Sequence, residues 1–335
     1  MPMQNRRRFL TGLTATGAAG IFGLPQPASA EPPPETMTVR LPKSPFPGCE
    51  VPQYIAAELL RAEGFADVRL VEADLAVDST IWLARGDIDF DWNYAAVHIG
   101  SMNAGVPLTV LAGLHSGCLE LIANESVNSI ADLRGKKVGV YSISSSPHIL
   151  LTLMTAYIGL DHVNDIQWIT DDEVSPIDLF IDGKIDAFLA TPPEPQELRA
   201  RKIGHSILDT AVDRPWSQYY CCMLAGHSDY VGKYPVATKR VLRAILKAID
   251  LCATDPEFAV ERLAGDKTPG RYDMTLEVLR DARYDRWREF DPEDTMRFYA
   301  LRLQETGLSK MSPQQIIADG TDWRFLDELK REMKT

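Results

Sequence analysis

Long apolar runs are missing from this 335-residue chain beyond its first 30 residues, so nothing later in it is a candidate to cross a bilayer. A basic excess is missing too. Lys and Arg number 35 against 47 Asp and Glu, a net charge of −12. That balance argues against nucleic acid or an anionic membrane as a partner. Cysteine is scarce: Cys49, Cys118, Cys221, Cys222 and Cys252, an odd number, so at least one has no intramolecular partner. No C-x-x-C and no zinc-like Cys/His spacing occurs, and adjacent Cys221 and Cys222 are poorly placed to bridge each other. The cysteines read as mostly small buried hydrophobes, with a Cys49–Cys118 disulfide left open, and no metal is expected. H-E-x-x-H, G-x-S-x-G, G-x-x-x-x-G-K-[ST] and G-x-G-x-x-G are all absent, which removes the common hydrolase and nucleotide-binding readings.

What is present begins with a leader. Arg6-Arg7-Arg8-Phe9-Leu10 opens it, a stretch rich in Gly, Ala and Thr follows, and Ala28-Ser29-Ala30 is an A-x-A cleavage pattern. Residues 1–30 therefore read as a signal peptide. The paired arginines resemble the twin-arginine type, with an ordinary Sec signal as the alternative. No cysteine ends the segment, so an exported, unanchored chain starting near Glu31 is expected, with 32 basic against 47 acidic residues.

The rest alternates. Strands are expected over 37–41, 68–72, 88–92, 107–112 and 119–123, with helices over 51–63 and 80–85 and a further one after Asn93. The rhythm restarts at Gly135-Lys136-Lys137, with strands at 138–141, 166–169, 185–190 and 206–207 and helices at 149–158, 176–182 and 196–201. After a crossing back near 210–225 the chain turns helical, over 236–254, 256–264, 274–281, 292–306 and 313–317. Short connections between alternating elements imply parallel sheets covered on both faces. The fold class expected is α/β, two lobes crossed twice plus a helical tail: 37–120 with 218–335 as lobe 1, and 121–217 as lobe 2.

In such sheets ligands sit beyond the carboxyl ends of the strands. That rule selects loops 44–50, 92–95, 115–118, 142–148 and 191–195, with 217–222 near the crossover. The candidate contacts are Phe46 and Trp92 as apolar walls and Asn93 as a strand-end hydrogen-bonding group. Ser116, Ser142, Ser144, Ser145 and Ser146 could supply hydroxyls, or N–H groups at a helix N-terminus. Ser146 reads as the N-cap with Pro147 first in the helix. Pro193 and Glu194 stand at a cleft lip, where Glu194 pairs with a ligand ammonium or faces water. Tyr219 and Tyr220 alternate, so at most one faces the cleft. His148 reads as a surface residue, and His98 and His115 as satisfied structural histidines.

These residues also carry a likeness. Asp132-Leu-Arg-Gly-Lys-Lys-Val-Gly-Val with its serine turn and helix, Gly159-Leu160-Asp161, Gly86-Asp87-Ile88-Asp89-Phe90 and Gly183-Lys184-Ile185-Asp186-Ala187 resemble the NMT1/THI5-like family. Ala248-Ile249-Asp250 and Asp255-Pro256-Glu257-Phe258-Ala259 resemble its tail helices. The likeness spans about residues 38–265. It implies a type II periplasmic-binding fold, in which two lobes close on one small molecule by a double-crossover hinge. It further implies a periplasmic solute receptor of an ABC importer, in the group that binds sulfonates, taurine, nitrate and pyrimidine precursors. The partners would be an inner-membrane permease and its ATPase, the state a monomer, with no cofactor and no catalysis. The ligand expected is an organic anion or zwitterion. The alternative within the family is a thiamine pyrimidine synthase. That enzyme carries a clustered cysteine metal motif, whereas here Gly117-Cys118-Leu119-Glu120 holds one cysteine.

Overall fold

A computed structural model describes residues 31–44, 48–72, 78–263 and 271–333. The leader segment and Phe46 lie outside the described residues. The first strands are β1 (Thr38–Lys43) and β2 (Asp67–Glu72), joined by α1 (Val51–Ala62). They pair in parallel, Val39 opposite Val68, with Val39 and Leu41 turned into the core. Next come α2 (Ser79–Arg85), β3 (Phe90–Tyr94), α3 (Ala95–Asn103) and β4 (Leu108–His115). Asp78 caps α2 by accepting the Thr80 N–H at 2.9 Å.

The chain then leaves this region. β5 (Glu120–Ala123), β6 (Lys137–Gly139), α4 (Ser146–Tyr157), β7 (Gln167–Ile169), α5 (Pro176–Ile181), β8 (Ala187–Ala190), α6 (Glu194–Arg201) and β9 (His205–Asp209) follow. The five strands form one sheet in the order β7-β6-β8-β5-β9. The return brings β10 (Cys222–His227), α7 (Ser228–Lys233), α8 (Pro235–Thr254), α9 (Pro256–Leu263), α10 (Arg271–Asp281), α11 (Pro292–Glu305), α12 (Pro313–Gly320) and α13 (Arg324–Glu332).

Two corrections to the expected topology stand out. β10 was expected only as a crossing segment, yet it inserts antiparallel between β3 and β4, with Leu224 opposite both Trp92 and Ala112. β5 likewise runs antiparallel to both β8 and β9, so neither main sheet is purely parallel. Segments that pass between regions arrive from the opposite direction, and no local sequence signal marks that. Tyr141 was expected at the end of a buried strand, but β6 stops at Gly139 and Tyr141 is 46% exposed beyond it. α7 and α13 were not expected; α13 buries Phe325, Leu326 and Leu329 on one face.

The amphipathic α8 packs against α1 and supports the first region. Glu63, just past α1, receives Arg243 and Lys247 of α8, each at 2.8 Å. The two crossings, 116–119 and 210–221, run side by side. The Thr210 hydroxyl accepts the N–H groups of Cys118 and Leu119 at 3.1 and 3.0 Å and donates to the Leu119 carbonyl at 3.0 Å. Gly117, at φ +65°, lets the backbones touch, since a Cβ there would sit 2.1 Å from Ala211 Cα. Only glycine satisfies both the left-handed backbone and that approach.

Gly117→Ala is therefore expected to destabilise the fold by about 3 kcal/mol or more, from left-handed strain plus overpacking against backbone. The urea midpoint should fall accordingly. An unchanged midpoint would show that the crossings are not packed as described.

Candidate functional site

Four of the six expected loops converge, 44–50, 92–95, 142–148 and 191–195, whereas 115–118 and 217–222 contribute no residue to the cavity. A cavity of about 270 Å³ is lined by Ser44, Gly48, Cys49 and Glu50 after β1, Tyr94 at the end of β3, and Tyr141, Ser146 and Pro147 beyond β6. Thr191 and Pro192 after β8 complete it. These are carboxyl ends of strands from both main parts of the chain, where an open α/β sheet places a ligand. A larger depression of about 490 Å³ is lined by Thr38, Arg40, Asp229 and Lys233, among others, at the amino end of β1. It lies at the wrong strand end and draws no residue from 95–226.

Two helices begin at the cavity. Glu50 is the N-cap residue of α1, and Ser146 and Pro147 form the first turn of α4. Helix N-termini present unsatisfied N–H groups and a positive dipole end. Among the described residues no Lys or Arg lines the cavity, and these helix ends bring positive potential to it. Glu50 supplies the opposite sign. Burial first, and neighbouring Cys49 second, push its carboxyl up to about 7, although Gly48 N–H and the Tyr54 hydroxyl oppose this. Tyr54 Oη lies 3.3 Å from Glu50 Oε1 and accepts the Ser44 N–H at 2.9 Å.

Gly48 sets how closely the two sides meet. A Cβ on it would lie 2.9 Å from the Pro192 carbonyl oxygen and 3.0 Å from Glu50 Oε2. The loop after β1 and the lip after β8 are in near contact there.

Of the expected residues, the structure places Ser146 on the cavity. Pro193 and Glu194 follow directly on its lip. Glu194 was expected to face water or a ligand, but it is buried. It accepts hydrogen bonds from the Tyr141 hydroxyl, from Thr191 N–H at 2.7 Å and from Thr191 Oγ1 at 3.2 Å. Its carboxyl is raised, by burial above all. It braces the lip and holds Tyr141.

Ser145, not Ser146, occupies the N-cap of α4, and its buried hydroxyl has no partner. The serine turn shifts by one residue because Ser144 adopts φ +76° and donates its N–H to His148 Nδ1 at 3.1 Å. His148 is accordingly buried, edge-on to Trp168 at 4.7 Å, rather than on the surface; burial lowers its pKa. Ser142 and Ser144 are exposed and do not line the cavity.

Trp92 belongs to the core, its ring 5.9 Å from that of His115. Asn93 is turned away from the cavity and donates to Ser79 Oγ at 3.1 Å. Tyr219 stacks on Phe298 at 4.0 Å, and Tyr220 is fully buried with its hydroxyl donating to the Trp287 and Phe290 carbonyls. Neither lines the cavity. Strand alternation puts Trp92 and Tyr94 on one face of β3, and Tyr94, the last residue of the strand, is the one that lines the cavity.

One group escaped the sequence altogether. Cys49, His115 and Cys222 are buried and Cys118 is half-buried, with the ligating atoms of all four within 4.8 Å of one another. Cys49 Sγ lies 3.8 Å from Cys222 Sγ, and Cys118 Sγ lies 3.2 Å from Cys221 Sγ. All five cysteines are free thiols, so the Cys49–Cys118 bridge is not formed. His115, expected to be satisfied, has no partner for either ring nitrogen. His98 does have one, the Met223 carbonyl at 3.2 Å. Ser116, beside His115, is buried with its hydroxyl unpartnered.

Comparison with known proteins defines first the class of fold. The nitrate-binding protein NrtA of Synechocystis PCC 6803 superposes with a TM-score of 0.74 at 16% identity, covering 90% of each chain. An alkanesulfonate-binding SsuA from Xanthomonas axonopodis pv. citri, bound to MOPS, gives 0.63 at 18% identity over 84% of this chain and 96% of its own. The desulfurization enzyme DSZB gives 0.59 at 14% identity over 89% and 99%. The fold is thus the type II periplasmic-binding fold, two α/β lobes and a helical tail, and at these identities the likeness shows fold alone. The NMT1/THI5-like family model matches residues 54–259, so the chain belongs to that family. A Brucella abortus protein, provisionally named a binding protein, is 28% identical over 141 residues. That match spans 42% of this chain and 44% of the relative's length.

Gly48→Ala is expected to hold the loop and the Pro192 lip apart. The melting temperature should change by only a few degrees, because no core contact is lost, while a crystal structure of the variant shows the Pro192 carbonyl displaced from the loop. An unmoved carbonyl would show that this contact does not set the separation.

Proposed function

We propose that this chain is the solute-binding receptor of an ABC importer. It binds one small molecule between two lobes and hands it, unchanged, to a membrane permease served by an ATPase. The lobes are taken as 37–120 with 218–335 and 121–217, hinged at the paired crossings. The chain works in the periplasm as a monomer, exported by its leader, with the twin-arginine type favoured by the paired arginines. No described helix is long and apolar enough to cross a membrane. The observation that carries the reading is the cavity itself, shared by loops of both lobes and walled by two helix N-termini.

The lining narrows the ligand. About 270 Å³ is at the small end for binding pockets. The first turn of α4 suits a carboxylate or sulfonate, and Glu50 suits an ammonium. Among organic anions and zwitterions, a small zwitterion uses both. Glu194 is already committed to Tyr141 and Thr191, so Glu50 is the carboxyl left for the ligand. The synthase alternative predicts consumption of a bound molecule. The receptor reading predicts its recovery intact.

A thermal-shift and calorimetry panel of small sulfonates, carboxylates and amino acids tests this, with the bound compound recovered and weighed by mass spectrometry. No binder in the panel, or chemical turnover of one, would overturn it. The pH profile reads the ligand's charge. Burial pushes the Glu50 carboxyl up to about 7, so pairing it with an ammonium requires loss of its proton below that pH. Affinity for a zwitterion should then fall about tenfold per pH unit below 7. For a pure anion the sign reverses, and affinity falls as pH rises past 7. Glu50→Gln should flatten either profile and weaken the zwitterion selectively.

A further inference from the structure

We propose that Cys49, His115, Cys118 and Cys222 form a site for one thiophilic d10 cation, Zn²⁺ or Cu⁺, at the point where the chain crosses between its two lobes. The donor set is three sulfurs and one imidazole, buried except for half-buried Cys118, with ligating atoms mutually within 4.8 Å. A tetrahedral ion with metal–sulfur bonds of about 2.3 Å needs donors roughly 3.5–3.8 Å apart. The Cys49–Cys222 separation is already 3.8 Å, so small side-chain movements complete the shell. Thiolate and imidazole donors without carboxylate select soft or borderline cations and exclude calcium and magnesium.

Independent of the sulfurs, His115 points to a missing partner. It is fully buried, and neither ring nitrogen meets a donor or acceptor. An unpaired buried imidazole is costly, and a cation relieves one of its two nitrogens. The scaffold is preorganised. His115 and Cys222 face each other across the β4–β10 ladder. Cys118 follows on the outgoing crossing, its N–H fixed by Thr210 at 3.1 Å. Cys49 comes from the cavity loop, its carbonyl held by the Tyr284 hydroxyl at 2.5 Å. Cys221 lies 3.2 Å from Cys118 Sγ, within reach as an outer S–H donor. Such an ion would fasten the outgoing crossing, the returning strand and the cavity floor to one another.

The full chain, purified without oxygen and under reduction, is assayed for metal content and for exchange into Co²⁺. One cation per chain, with thiolate-to-cobalt charge-transfer absorption, is the expected result. Chelation should lower the melting temperature by about 5 °C or more. Cys222→Ser and His115→Ala should each lose at least nine-tenths of the metal, while Cys252→Ser, a buried thiol of α8 outside the cluster, keeps it. If either cluster variant fails to fold, the wild-type protein still decides. Metal should protect its cluster thiols from alkylation, and chelation should release them. Competition between Zn²⁺ and Cu⁺ identifies which ion is held. The proposal is overturned if the reduced, folded chain binds neither ion with a Kd below micromolar. It is equally overturned if peptide mapping of the exported protein finds Cys49–Cys222 or Cys118–Cys221 as a disulfide.

Discussion

The structure depends on the contact between two backbone crossings. Gly117 and Ala211 touch without a side chain between them, and Thr210 ties the outgoing crossing at Cys118 and Leu119. A polypeptide that visits a second sheet and returns must bring two segments through one place. Each carries backbone polar groups that need partners when buried. Here one threonine hydroxyl satisfies three of them. The direction of the return then dictates that β10 enters antiparallel, and its insertion between β3 and β4 completes the first region's core.

From that constraint the cavity follows. Because both crossings lie together, the strand ends of both sheets face one another, and the loops after β1, β3, β6 and β8 share a space. Its two nearby carboxyls differ: Glu194 is held by Tyr141 and Thr191, whereas Glu50 meets the Tyr54 hydroxyl at 3.3 Å through one oxygen. On the other side of the lip, Arg199 of α6 pairs with Glu120 and with Glu277 and Asp281 of α10. Each such half-exposed pair contributes little alone. Jointly they tie α6 to β5 and to α10.

How much was legible differs by level. Loops 44–50, 92–95, 142–148 and 191–195 were legible, because strand ends and turn residues are written locally. Within them the side chains were not. Period-two alternation could not say whether Trp92 or Tyr94 of β3 lines the cavity. The serine run could not show that Ser144 turns left-handed and moves the cap to Ser145. Glu194 looked free between prolines, and only the fold brings Tyr141 onto it. The cysteine and histidine cluster had no signal at all, since its members come from residues 49, 115, 118 and 222 and satisfy no spacing rule.

The sequence alone determined the alternation of strands and helices, the acidic surface, the loops at strand ends and the family. These rest on local propensity and on short patterns that survive without neighbours. Tertiary structure decided which strands run antiparallel, which carboxyl stays available and which four donors meet. Each of those depends on segments far apart in the chain being packed side by side, and no residue carries that information by itself.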